Sequence, residues 1–100
     1  MFSKLVNKAV ATMATELVHV GFGDYLAANR ILTVIKPGSV PVRRLLEAAE
    51  RRNLLVDITH GRRTKSVVLL DSGHLVLLAL QPETIASRLK SLHSKDGEDA

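Results

Sequence analysis

The sequence predicts an α+β domain, a small antiparallel sheet carrying two helices. Three observations predict it. Two strand-length aliphatic runs, Leu54-Leu55-Val56-Asp57-Ile58 and Val67-Val68-Leu69-Leu70, flank a short polar stretch. Val42, Leu45, Leu46 and Ala49 recur at i, i+3, i+4 and i+7, the spacing of an amphipathic helix. Ser72-Gly73 then separates the second run from a third, within His74 to Leu80, as a two-residue hairpin turn.

From the N-terminus, Phe2, Leu5, Val6, Ala9, Val10 and Met13 share one helical stripe, with Lys4 and Lys8 off it. Residues 1–12 therefore read as an N-terminal extension, either a short amphipathic helix or a leader without a role. Glu16 to Val20 is a strand, broken by Gly21-Phe22-Gly23-Asp24-Tyr25. This G-x-G has no third glycine and no following helix, so it is no dinucleotide fingerprint. Phe22 is placed in the core, with an exposed interface position as the alternative. Ala28 to Lys36 is the next strand, with Arg30, Leu32, Val34 and Lys36 on one face and Ile31, Thr33 and Ile35 on the other.

Pro37-Gly38 ends that strand, Ser39 is the candidate N-cap, and Pro41 falls in the first helical turn, where its missing N–H costs nothing. Glu47 and Arg51 are spaced for an i, i+4 pair, and Arg51 and Arg52 suit the negative end of the helix dipole. Asn53 can take the left-handed conformation that ends a helix. Leu54 to Thr59, Ser66 to Asp71 and His74 to Leu80 complete the strands. Gln81-Pro82-Glu83 opens a last helix with Ile85, Leu89 and Leu92 as its apolar stripe. The domain is drawn at 13–93, and residues 94–100 read as a disordered acidic tail.

The last two strands do not alternate, so both their faces must be covered. Two helices in so short a chain cover one face more readily than two. A neighbouring copy is therefore expected to supply the rest. With 46% hydrophobic residues and only 3% aromatics in 100 residues, the core is aliphatic and the chain is one domain. The absence of cysteine excludes disulfides, thiolate metal sites and a cysteine nucleophile. No apolar run approaches the ~18 residues of a membrane span, and Lys8 interrupts the start. The expectation is a cytoplasmic protein without membrane contact.

Chemistry concentrates in Thr59-His60-Gly61-Arg62-Arg63-Thr64-Lys65. Its three cations have no acid among them, and such a group repels itself unless an anion or solvent intervenes. Arg62, Arg63 and Lys65 can neutralise phosphates, with backbone N–H groups near Gly61 adding hydrogen bonds. The alternative is a solvated hairpin tip. The net charge of +4 agrees with a polyanionic partner. His19, His60, His74 and His93 have no metal-ligand spacing, and Asp57 is read as the ion-pair partner of an arginine rather than a general base. No enzyme activity, metal or cofactor is expected.

Gly21-Phe22-Gly23, Ala28-Asn29-Arg30, Gly61-Arg62-Arg63-Thr64 and Gln81-Pro82-Glu83-Thr84 occur in the order and spacing of the RemA family, bacterial regulators of extracellular matrix genes. The chain resembles that family from about Glu16 to Leu89. Asn53 stands where the family usually has glycine, and His60 where an aromatic is common. The resemblance implies a sequence-selective regulator that activates transcription, binds double-stranded DNA at the nucleoid and assembles into homo-oligomeric rings. It also implies a LytTR-like fold. The family's DNA-contacting arginines fall on Arg30, Arg62 and Arg63. Contact with RNA polymerase is left open, and an RNA-binding assembly is the nearest alternative.

Overall fold

A computed structural model describes the backbone of residues 16–99 and the side chains through Leu92. The stripe read in residues 1–13 lies outside the described residues. The elements run β1 (Leu17–Gly21), β2 (Asp24–Ala27), a 3-10 turn (Ala28–Arg30), β3 (Ile31–Ile35), α1 (Val40–Arg51), β4 (Leu55–Asp57), β5 (Ser66–Leu70), β6 (Leu75–Leu78) and α2 (Pro82–Asp99). The helical bounds of α2 thus run through most of the stretch read from sequence as a tail.

β1 and β2 form an antiparallel hairpin, and the other strands form a sheet in the order β3-β5-β6-β4. That sheet is mixed, because β4 runs parallel to β6 while β3, β5 and β6 are antiparallel. The all-antiparallel expectation is corrected here. Pair direction follows from how the chain returns to the sheet, and no local pattern records it.

β5 and β6 alternate after all, between two cores. Val68, Val76 and Leu78 face a cluster with Val18 and Val20 of β1 and Ile85 of α2. Val67 and Leu75 face a second cluster with Ala49 of α1, flanked by Leu46, Leu54 and Leu55. The continuous apolar runs are therefore covered on both faces by this chain's own hairpin and helices. The inference that a neighbouring copy must cover one face of these strands does not hold, because the β1–β2 hairpin adds cover that two helices alone lack.

The helix signals correspond to the structure. Ser39 Oγ accepts from the Val42 N–H at 3.3 Å, and Asn53 takes φ 59° just after the helix end. The Glu47–Arg51 pair is not among the ion pairs of the described residues. In β3 the register slips between Ile31 and Thr33, so Ile31 and Val34 both pack on the first cluster and Leu32 stands 62% exposed. A bulge explains why the simple alternation fails. Arg88 Nη1 donates to the His19 carbonyl at 2.6 Å and ties α2 to β1.

Gly21 sets the tip of the β1–β2 hairpin. It has φ 103°, and a Cβ there would stand 3.6 Å from the Leu80 side chain. Gly21→Ala is expected to lower stability by about 1–3 kcal/mol through strain at a left-handed position. Thermal and urea unfolding check this, and an unchanged midpoint would contradict it.

Candidate functional site

The strand order explains the polar loop. β6 lies between β4 and β5, so the chain must cross over the end of β6 to pass from one to the other. Two interstrand spacings amount to about 9.6 Å, too far for a tight turn. The stretch is therefore an arch over β6 and not the hairpin tip that the sequence allows. Both feet are fixed on adjacent β6 carbonyls: the Ile58 N–H donates to Leu77 at 3.2 Å and the Lys65 N–H to Leu78 at 2.8 Å.

Asp57 shapes the near foot. Its Oδ1 accepts from the Thr59 hydroxyl at 2.7 Å and the Thr59 N–H at 2.9 Å. These donors hold the carboxyl below its ordinary value, the hydroxyl contributing most. The expected ion pair with an arginine is absent among the described residues, because Thr59, itself buried, takes the carboxylate first.

Arg62, Arg63 and Lys65 are exposed on the arch, and none joins an ion pair among the described residues. β3 ends on the same side of the sheet, since Ile35 pairs with Val67, and this brings up Lys36. Lys36, Pro37, Arg63, Thr64, Lys65 and Gln81 line a depression of about 240 Å³ containing no acid. A second depression of about 470 Å³ is lined by Phe22, Arg62, Arg63, Lys65, Ala79 and Leu80. Lys36 was not singled out from the sequence, because only strand pairing places it beside the arch.

Phe22 is not a core residue. It is 48% exposed at the tip of the β1–β2 hairpin, where the two flanking glycines and its own φ of 55° turn it outward. Its ring centroid lies 5.0 Å from that of His60, and the Arg62 guanidinium carbon lies 4.8 Å above it. His60 Nε2 and Asp24 Oδ2 are 2.6 Å apart. The flanking glycines were the signal that this aromatic marks a turn.

Arg30 is elsewhere. Ile31 pairs with Leu70 at the far end of β5, so Arg30 is separated from the arch by the length of that five-residue strand, roughly 15 Å. It pairs with Asp71 at 3.2 Å across an exposed contact, worth at most about 1 kcal/mol. The structure therefore groups Arg62, Arg63 and Lys65 but leaves Arg30 apart. Among the described residues no cluster of His, Cys, Asp and Glu could hold a metal, and no helix is long and apolar enough to cross a membrane.

Residues 17–89 match the family described as extracellular matrix regulatory protein A-like. The chain belongs to the RemA-like family. It is 45% identical over 86 residues to a candidate regulatory protein of Halalkalibacterium halodurans, covering 86% of this chain and 99% of that one. A similarly named protein of Shouchella clausii is 48% identical over 90 residues, covering 88% of this chain and all of its own. One from Synechococcus elongatus is 52% identical over 77 residues, covering 77% and 88%. The family matches what the ordered motifs in the sequence indicated, and it is a family of regulators by name.

Thr59→Val removes one of the two donors to Asp57. The Asp57 pKa is expected to rise toward its ordinary value, followed by carboxyl NMR through an acid titration. A depressed folded pKa contributes stability that is present above the unfolded pKa and lost as pH falls through the folded one. The variant's deficit should accordingly be full at neutral pH and vanish in strong acid. A deficit equal at both extremes would contradict this role.

Proposed function

We propose that this RemA-like chain is a DNA-binding transcriptional regulator of extracellular matrix and biofilm genes, working in the cytoplasm at the nucleoid. On this reading it presents its arch in the manner of LytTR domains and acts as a homo-oligomeric ring. Arg62, Arg63 and Lys65 contact backbone phosphates, and Lys36 extends the same surface. The observation that carries the reading is the cationic end of the sheet, where Lys36, Arg62, Arg63 and Lys65 stand without an ion-pair partner among the described residues and a depression lined by three of them contains no acid. Arginine forks suit phosphate geometry, and such contacts supply most of the affinity for a polyanion.

Oligomerisation draws its support from the outer surface. Leu17, Tyr25, Leu32, Val40, Leu45 and Val56 are exposed large hydrophobics, and β3 and β4 are the edge strands of the sheet among the described residues. One arch binds weakly, but repeated arches on one assembly raise the effective concentration of each further contact. Arg30 then serves as a separate phosphate contact, for which DNA competes with Asp71. A recruiting contact with RNA polymerase would be consistent with activation.

The exposed rings of Phe22 and Tyr25 favour a second reading, an RNA-binding assembly in which they stack on unpaired bases. Phe22, however, is already engaged by Arg62 and His60, which favours the duplex reading.

Arg62→Ala and Arg63→Ala are each expected to weaken gel shifts of target duplex severely while light scattering shows an unchanged assembly. Arg63→Ala should alter stability by about 0.5 kcal/mol or less, since no buried partner is left behind. Wild-type affinity should fall with salt at a log–log slope of about −0.9 per phosphate neutralised. Wild-type binding by both variants, or a flat salt response, would remove the arch as the contact.

A further inference from the structure

Two loops meet at the cationic end, and each takes a left-handed backbone at a bulky residue. Phe22 has φ 55° and His60 has φ 54°. Such conformations are uncommon outside glycine, and they persist where surrounding contacts enforce them. Core packing does not account for either residue, because both are exposed. What the two turns achieve is contact with each other, the rings lying 5.0 Å apart and tilted by 50°. Asp24 fixes the far side of the imidazole at 2.6 Å. Arg62 completes the chain of contacts, with its guanidinium carbon 4.8 Å over the Phe22 ring.

We infer that Phe22 is a positioning residue for Arg62: the Asp24–His60 pair holds the aromatic ring, and the ring holds the guanidinium in place for a phosphate of duplex DNA. This rests on the DNA-binding reading above. A guanidinium held over an aromatic ring by cation–π attraction still has N–H donors for other partners, since it carries five, so the same group can engage the ring and bind an oxyanion at once. An exposed long side chain otherwise loses rotamer freedom on binding, and a platform that orders it beforehand reduces that cost. Arg63 and Lys65 have no ring contact among the described residues, so the effect is specific to one of the three cations.

The test is a double-mutant cycle on the full chain, read by fluorescence anisotropy with target duplex at fixed salt. Phe22→Leu keeps apolar bulk and removes the π face; Phe22→Tyr keeps the face. Phe22→Leu should weaken binding by about two- to five-fold per engaged copy, and Phe22→Tyr should restore it. In an Arg62→Ala background, Phe22→Leu should cost nothing further. The salt slope should drop for Arg62→Ala and stay unchanged for Phe22→Leu, because only the former removes a phosphate contact. A readout without DNA accompanies these: the Arg62 side-chain N–H resonance should carry a ring-current shift that Phe22→Leu abolishes and Phe22→Tyr retains.

An equal loss from Phe22→Leu in both backgrounds, a changed oligomeric mass, or no ring-current shift in the wild type overturns the positioning role while leaving DNA binding intact. Absence of duplex binding by the wild type, with the ring-current shift present, overturns the DNA reading and this role with it. The two failures are therefore distinguishable.

Discussion

The β5–β6 ladder is the constraint on which everything else depends. Its residues alternate between two aliphatic cores, Val68, Val76 and Leu78 to one side and Val67 and Leu75 to the other. A shift of one residue would exchange the two sets, so the register is strongly fixed. β6 is held between β5 and β4, and the Leu77 and Leu78 carbonyls fix both feet of the arch. The polar loop is thereby positioned by backbone hydrogen bonds from a buried strand, a firmer mount than a free hairpin tip.

Sheet direction then sorts the charges. β4 and β6 run parallel, and β3 and β5 are antiparallel to each other, so the ends of β3, β4 and β6 and the start of β5 lie together. That end carries Lys36 and the arch. The opposite end carries Arg30, held by Asp71, which also donates its backbone N–H to the Arg30 carbonyl at 2.9 Å. A polyanion following one copy from the arch to Arg30 would span the sheet along β5.

Much of this was legible because it is local. Ser39, Pro41 and Asn53 mark the ends of α1 through capping and backbone preference, and Ser72-Gly73 falls in the turn between β5 and β6, which closes over three residues, Asp71 to Gly73, and not two, with the Leu70 N–H donating to the His74 carbonyl at 3.0 Å. The cations of the arch stand together in sequence. What was not legible depends on distant pairing. β2 is four residues long without clear alternation, and β4 joins a strand that follows it by one intervening strand. Lys36 joins the site only through the β3–β5 register. Phe22 was misplaced because hydrophobicity argues for burial, whereas the flanking glycines and its own left-handed φ put it at a tip.

The most direct test of the central claim is competition binding at fixed ionic strength, with the intact protein holding a labelled target duplex. Unlabelled duplex DNA, single-stranded DNA and RNA of equal length serve as competitors. An interface built from oriented guanidiniums, with its aromatic already occupied, should be displaced by duplex at far lower concentration than by either single strand. Preferential displacement by single-stranded DNA or RNA would contradict it, because that result requires free stacking surfaces instead of a phosphate-binding arch.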